Sequence, residues 1–112
     1  MPEFPREYPR RGEIYWAPST AKVRPVVVVS NDTGNKFGST VIVAPLTRTI
    51  PAKKYPVNVH LHAGDPLPAA GVITCGSLYT LEKDDLNEYR ADLRPEQLAE
   101  VDAALKASLA LK

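Results

Sequence analysis

The sequence predicts a small, mostly β domain closed by one C-terminal helix. Three observations predict it. Short apolar stretches recur between Glu13 and Leu93, separated by Gly, Pro, Asn and Asp. Only Pro95–Leu109 carries apolar residues at helical spacing. A chain of 112 residues can bury roughly 65% of its unfolded surface, enough for one core and too little for two. Several short strands followed by a helix assemble as a small antiparallel barrel, or a strongly bent sheet, with the helix packed on it.

The elements follow in order. Residues 1–10 read as a flexible lead-in, because Pro2, Pro5 and Pro9 leave no room for a helix or a central strand. Residues 11–112 read as one domain. Glu13–Ala17 is a short strand, with Ile14 and Trp16 on one face and Tyr15 on the other. Pro18–Val23 is a polar loop. Arg24–Asn31 is the strongest strand; its four consecutive valines suit burial on both faces. Asp32–Ser39, with Asp, Asn and two Gly, reads as a loop. Thr40–Ala44 is a strand broken by Pro45. Tyr55–His62 alternates apolar and polar residues, the mark of a half-buried strand.

Ala63–Ala70 is a turn region, and Gly71–Thr74 a strand expected to run on through Leu78. Lys83–Leu86 suits one helical turn and Tyr89–Leu93 a last strand. In the terminal helix Pro95 fits the first position and Glu96 the first turn. Leu98, Val101, Leu105 and Ser108/Leu109 form its apolar stripe. Arg94 is a poor N-cap residue.

Composition narrows the function. The longest apolar run, Val26–Val29, is far short of the ~20 residues of a membrane span, so no membrane association is expected. Met1–Pro5 is too short and proline-rich for a signal peptide. Cys75 is the only cysteine, which excludes an internal disulfide and a thiolate metal cluster. The simplest compartment is a reducing cytoplasm. The net charge of +1 is unevenly spread: residues 1–64 carry +5 and residues 65–112 carry −4. A basic first half is compatible with an anionic partner such as nucleic acid, but with so small a net charge the charges alone favour a solvated surface.

Two constellations could carry chemistry. His60 and His62, at i and i+2, point to one face of a strand. Paired imidazoles can serve acid–base cleavage of RNA or bind a metal, but no third ligand is evident; two exposed polar residues on a wet face explain them as well. Arg24 precedes the valine strand, and Thr47-Arg48 follows the Val41–Ala44 strand. Were those strands neighbours, Arg24 and Thr47 would share a rim. A permanent cation with a bidentate fork and a hydroxyl donor would together form an oxyanion clamp for phosphate. The alternative for Arg24 is a solvated charge at a strand edge.

Three segments carry a resemblance: Arg11-Gly12-Glu13-Ile14-Tyr15-Trp16, Arg24-Pro25 with its valines through Ser30-Asn31-Asp32, and Val41-Ile42-Val43-Ala44-Pro45-Leu46-Thr47. With Gly71-Val72-Ile73, Leu78-Tyr79-Thr80-Leu81 and the terminal helix, the chain over about residues 11–111 resembles the MazF/PemK-type toxin endoribonucleases of toxin–antitoxin pairs. The resemblance implies an SH3-like β-barrel of the CcdB/MazF kind with a C-terminal helix. It implies a homodimer whose RNA groove lies across or beside the interface. It also implies sequence-selective cleavage of single-stranded RNA without metal or cofactor, leaving a 2′,3′-cyclic phosphate and a 5′-OH.

On that resemblance the catalytic pair is Arg24 and Thr47, and the RNA contacts are Ser19, Lys22, Asn31, Lys53, Lys54 and Ser77. Arg24, charged at any ordinary pH, would stabilise the transition state electrostatically. Trp16 and Tyr15 offer rings that could stack a base, against the plainer reading of core aromatics. Cys75 reads as a small buried hydrophobe. The expected partner is a cognate antitoxin whose acidic C-terminal tail occupies the groove.

The chain departs from many relatives in its short Pro18–Val23 loop and in Gly76-Ser77, so the cut-site sequence does not transfer and no general base is assigned. A competing reading is a CcdB-like toxin that binds and poisons DNA gyrase without cutting RNA. A third is a catalytically dead binding module on the same fold.

Overall fold

The computed structural model describes residues 4–18 and 23–112. The valine run organises it. β2 (Val23–Val28) lies between β1 (Glu13–Pro18) and β3 (Thr40–Thr47), antiparallel to both. Its side chains alternate between two cores. Val27 and Val29 join Ile14, Ala44, Leu46, Ile73 and Val101. Val26 and Val28 join Tyr15, Ala17, Val41, Val43 and Leu86. Consecutive valines are tolerated here because both faces of this strand are covered.

The other strands are β4 (Asn58–Leu61), β5 (Gly71–Thr74), β6 (Tyr79–Glu82) and β7 (Glu88–Asp92). The spatial order is β4-β5-β3-β2-β1-β7, with β6 also on β3. β3 therefore serves two partners in turn: Thr40–Val43 pair with β6, and Leu46 and Thr47 pair with β5. A strand that changes partner along its length must bend, and the sheet curls into an antiparallel half-barrel. The architecture is the mostly β, helix-terminated barrel class that the sequence predicts.

α2 (Pro95–Leu109) covers one core and packs against β4. Val101 and Ala104 are buried, and Leu98 and Leu105 partly so. Leu109, expected on this face, is exposed; the buried stripe ends at Leu105. Arg94 offers no capping side chain, and Gln97 supplies the cap by accepting from the Arg94 N–H at 2.8 Å.

Other local expectations change. Asp32–Ser39, read as a loop, holds a short helix, α1 (Asp32–Phe37). The Asn31 side chain accepts from the Gly34 N–H at 2.7 Å and caps it, while buried Asn35 donates to the Ser30 carbonyl. β3 runs through Pro45 to Thr47 instead of stopping at Ala44. β4 is shorter than the Tyr55–His62 alternation suggested, and β5 ends at Thr74, so that Tyr79–Glu82 forms a separate strand. Of the lead-in, residues 4–10 lie against the sheet. Phe4 meets Tyr15 edge-on at 5.8 Å, and Arg6 bonds to Glu13 and Asp92.

Candidate active site

The ladder between β2 and β3 pairs Val28 with Val43, Val27 with Ala44 and Val26 with Pro45, and stops there. Pro25 and Pro45 bring no N–H to the pairing. Continued by two residues, the same register sets Arg24 opposite Thr47. Beyond the last pair a hollow of about 340 Å³ opens, walled by Trp16, Arg24, Pro25, Leu46, Thr47, Arg48 and Thr49. The two residues singled out from the sequence thus line one hollow.

The electrostatics there favour an anion. The Arg24 Nε is buried, with no hydrogen-bond partner among the described residues. A buried donor left unpaired is costly, and a phosphate oxygen would relieve it. The Thr47 hydroxyl accepts from the Thr49 N–H at 3.2 Å, which leaves its own proton to donate outward. Arg48 adds a second guanidinium at the rim. Trp16, half-buried, forms a wall and carries the Arg90 guanidinium 5.4 Å from its ring centroid. Arg90 is the site residue that sequence reasoning missed. Its one signal was the alternation of Glu88–Asp92, which sets Tyr89 and Ala91 on the face opposite to Arg90.

The remaining candidates scatter. Ser19 and Lys22 lie outside the described residues. Asn31 is exposed, but its side chain is engaged in capping α1. Ser77 is exposed in the turn after β5. Lys53 is exposed in the segment before β4. Lys54 lines a different groove, of about 490 Å³ between β4 and α2, together with His60, His62 and Glu100. The histidines do share a face, away from Arg24.

Among the described residues no group of three His, Cys, Asp or Glu could hold a metal ion. Tyr15 is fully buried, so its ring is closed to a base. Cys75 is fully buried, and burial pushes its thiol up to about 11.

This fold has counterparts among solved structures. The family model of PemK-like, MazF-like toxins of type II toxin–antitoxin systems matches residues 10–109. An endoribonuclease from a mycobacterial species, solved in complex with its cognate antitoxin, is 28% identical over 93% of this chain and 97% of that one, with a TM-score of 0.83. Another mycobacterial endoribonuclease is 29% identical over 92% of each chain, with a TM-score of 0.81. A MazE–MazF structure from Deinococcus radiodurans is 28% identical over 94% of this chain and 98% of that one, at 0.75. With nearly its whole length matched, the chain belongs to the PemK-like, MazF-like toxins of type II toxin–antitoxin systems.

Proposed function

We propose that this MazF-type endoribonuclease cuts single-stranded RNA at selected sequences by metal-independent transesterification, with Arg24 and Thr47 as its catalytic pair. The observation that carries the reading is that both side chains line one hollow past the last β2–β3 pair, where the Arg24 Nε is buried without a partner among the described residues. The RNA 2′-oxygen attacks the adjacent phosphorus and loses its proton to a general base. The P–O5′ bond breaks, and the 5′-oxygen gains a proton. The products are a 2′,3′-cyclic phosphate and a 5′-OH. Charge concentrates on the phosphorane oxygens during the step. A guanidinium held in place and a hydroxyl donor stabilise that charge more than the ground state.

The protein works as a cytoplasmic homodimer, and cutting mRNA stops translation and growth. A cognate antitoxin restrains it by laying an acidic C-terminal tail over the basic hollow. Relatives solved with an antitoxin support that partner class. Poisoning of DNA gyrase is not favoured, since the family matched is the PemK/MazF one. The test is incubation of the pure protein with mixed-sequence RNA in EDTA, followed by sequencing of the new 5′ ends. Fragments carrying 5′-OH ends at a recurring short sequence support the reading. Intact RNA, or cleavage only with added metal, contradicts it.

A further inference from the structure

Beside the Arg24–Thr47 hollow lies a narrower slot of about 130 Å³, and the two share Trp16, Pro25, Leu46 and Arg48. The segment Leu67–Ala70 and Arg90 complete its lining. Three properties define what fits. The volume of about 130 Å³ is on the scale of a single ring, since a cavity of ~150 Å³ takes one benzene. The walls are apolar, with the half-buried indole of Trp16 among them. The polar groups are two guanidiniums, Arg48 and Arg90, and no carboxylate lines the slot among the described residues. Arg90 pairs with Glu88 at 3.3 Å and lies 5.4 Å from the Trp16 ring centroid.

We propose that this slot is a nucleobase subsite: it takes the base next to the phosphate cut between Arg24 and Thr47, stacked on Trp16, with Arg48 and Arg90 on the flanking phosphate. A flat aromatic wall beside cations is how single-stranded nucleic acid is commonly gripped. An apolar metabolite would leave both guanidiniums unused. An acidic peptide would leave the apolar lining, Trp16 included, unused. The proposal rests on the ribonuclease reading and extends it to the residues that place the substrate.

Trp16 is the only tryptophan, so the slot carries its own probe. The ligand is a 2′-O-methyl copy of an RNA that the protein cuts, which lacks the attacking hydroxyl. Binding is followed at once by anisotropy of a labelled end and by Trp16 emission. The expected result is a saturable emission change in step with the anisotropy. Ala70→Leu, which fills the slot, raises KM on the order of 10-fold, the scale of one lost base stack, and Arg90→Ala raises KM through its lost phosphate contact, while kcat changes little in both. Trp16→Phe keeps most of the affinity and Trp16→Ala does not. Circular dichroism confirms that each variant is folded. Saturating anisotropy with flat Trp16 emission overturns the subsite and leaves the ribonuclease reading intact, as does Arg90→Ala with unchanged KM and cut pattern. A wild-type protein that cuts no RNA overturns both.

Discussion

Arg94 donates to both carboxylate oxygens of Asp65, from Nε at 3.0 Å and from Nη2 at 2.9 Å. Gln97 adds a donor to the Asp65 carbonyl at 3.1 Å. These bonds tie the loop between β4 and β5 to the first turn of α2. The same loop carries Leu67–Ala70, which line the Trp16 pocket, so this ion pair bears on the wall of the proposed subsite.

That pair gives a pH signature. The hydrogen bonds from Arg94 hold the Asp65 carboxyl below its ordinary value. A group lowered on folding contributes stability above its unfolded pKa of ~3.9, and loses it as pH falls through the lower folded value. Asp65→Asn should therefore melt below wild type by a constant small margin from about pH 5 to pH 7, and the margin should close below about pH 4. Melting temperatures across that range check it. A margin that grows in acid contradicts it.

Glu13 is a buried carboxylate with a full set of partners. It accepts from the Tyr15 hydroxyl at 2.7 Å and the Arg10 N–H at 2.6 Å, and it pairs with Arg6. Burial first, and then this bond, push the Tyr15 phenol well above its usual value. Glu13→Ala leaves buried donors unpaired and should cost about 2–3 kcal/mol in urea unfolding. Phe4, Arg6 and Asp92 meet the same network, so the variant should also expose residues 4–10 to proteolysis. A change under about 0.5 kcal/mol would mean that water replaces the carboxylate.

Gly71 lets β5 approach β3 beside Thr47. A Cβ there would lie 2.6 Å from Leu46 Cδ2 and 2.9 Å from the Thr47 carbonyl oxygen, and the second neighbour is backbone. Gly71→Ala should cost about 1–3 kcal/mol and displace Thr47. Cleavage at a temperature where the variant is fully folded should drop well below wild type. Normal cleavage by the folded variant would show that Thr47 tolerates movement.

Cys75 should be chemically silent. Its thiol is buried and raised to about 11, and the thiolate is the reactive form. Ellman's reagent should label the native protein slowly at neutral pH and rapidly in urea, and Cys75→Ala should still cut RNA. Fast native labelling would contradict the burial.

How far the sequence could be read follows from which forces act locally. The Pro95–Leu109 helix keeps its predicted bounds because periodicity and its proline start are written in consecutive residues. The valine strand lies between two cores, and the rim it shares with Thr47 follows from two adjacent antiparallel strands. The short helix after Asn31 was hidden, because its stability comes from a side-chain cap and from Asn35 docking on Ser30, not from apolar spacing. β6 was hidden because its exposed residues are held by pairing with β3. Arg90 comes to Trp16 only through the register of β7 on β1, which no local pattern encodes. Lys54, His60 and His62 line the groove between β4 and α2 and not the Arg24–Thr47 hollow, a placement set by the pairing of β4 on β5, which no local pattern encodes.

The central claim is that Arg24 and Thr47 act together on one phosphate. The most direct measurement is single-turnover cleavage of a defined RNA in EDTA by Arg24→Ala, Thr47→Ala and the double variant, each verified as folded. Each single change should slow cleavage by ~10²-fold or more, the scale of one lost transition-state donor, and the double change should cost far less than the product of the two. Full activity in Arg24→Ala, or losses that simply multiply, would contradict it.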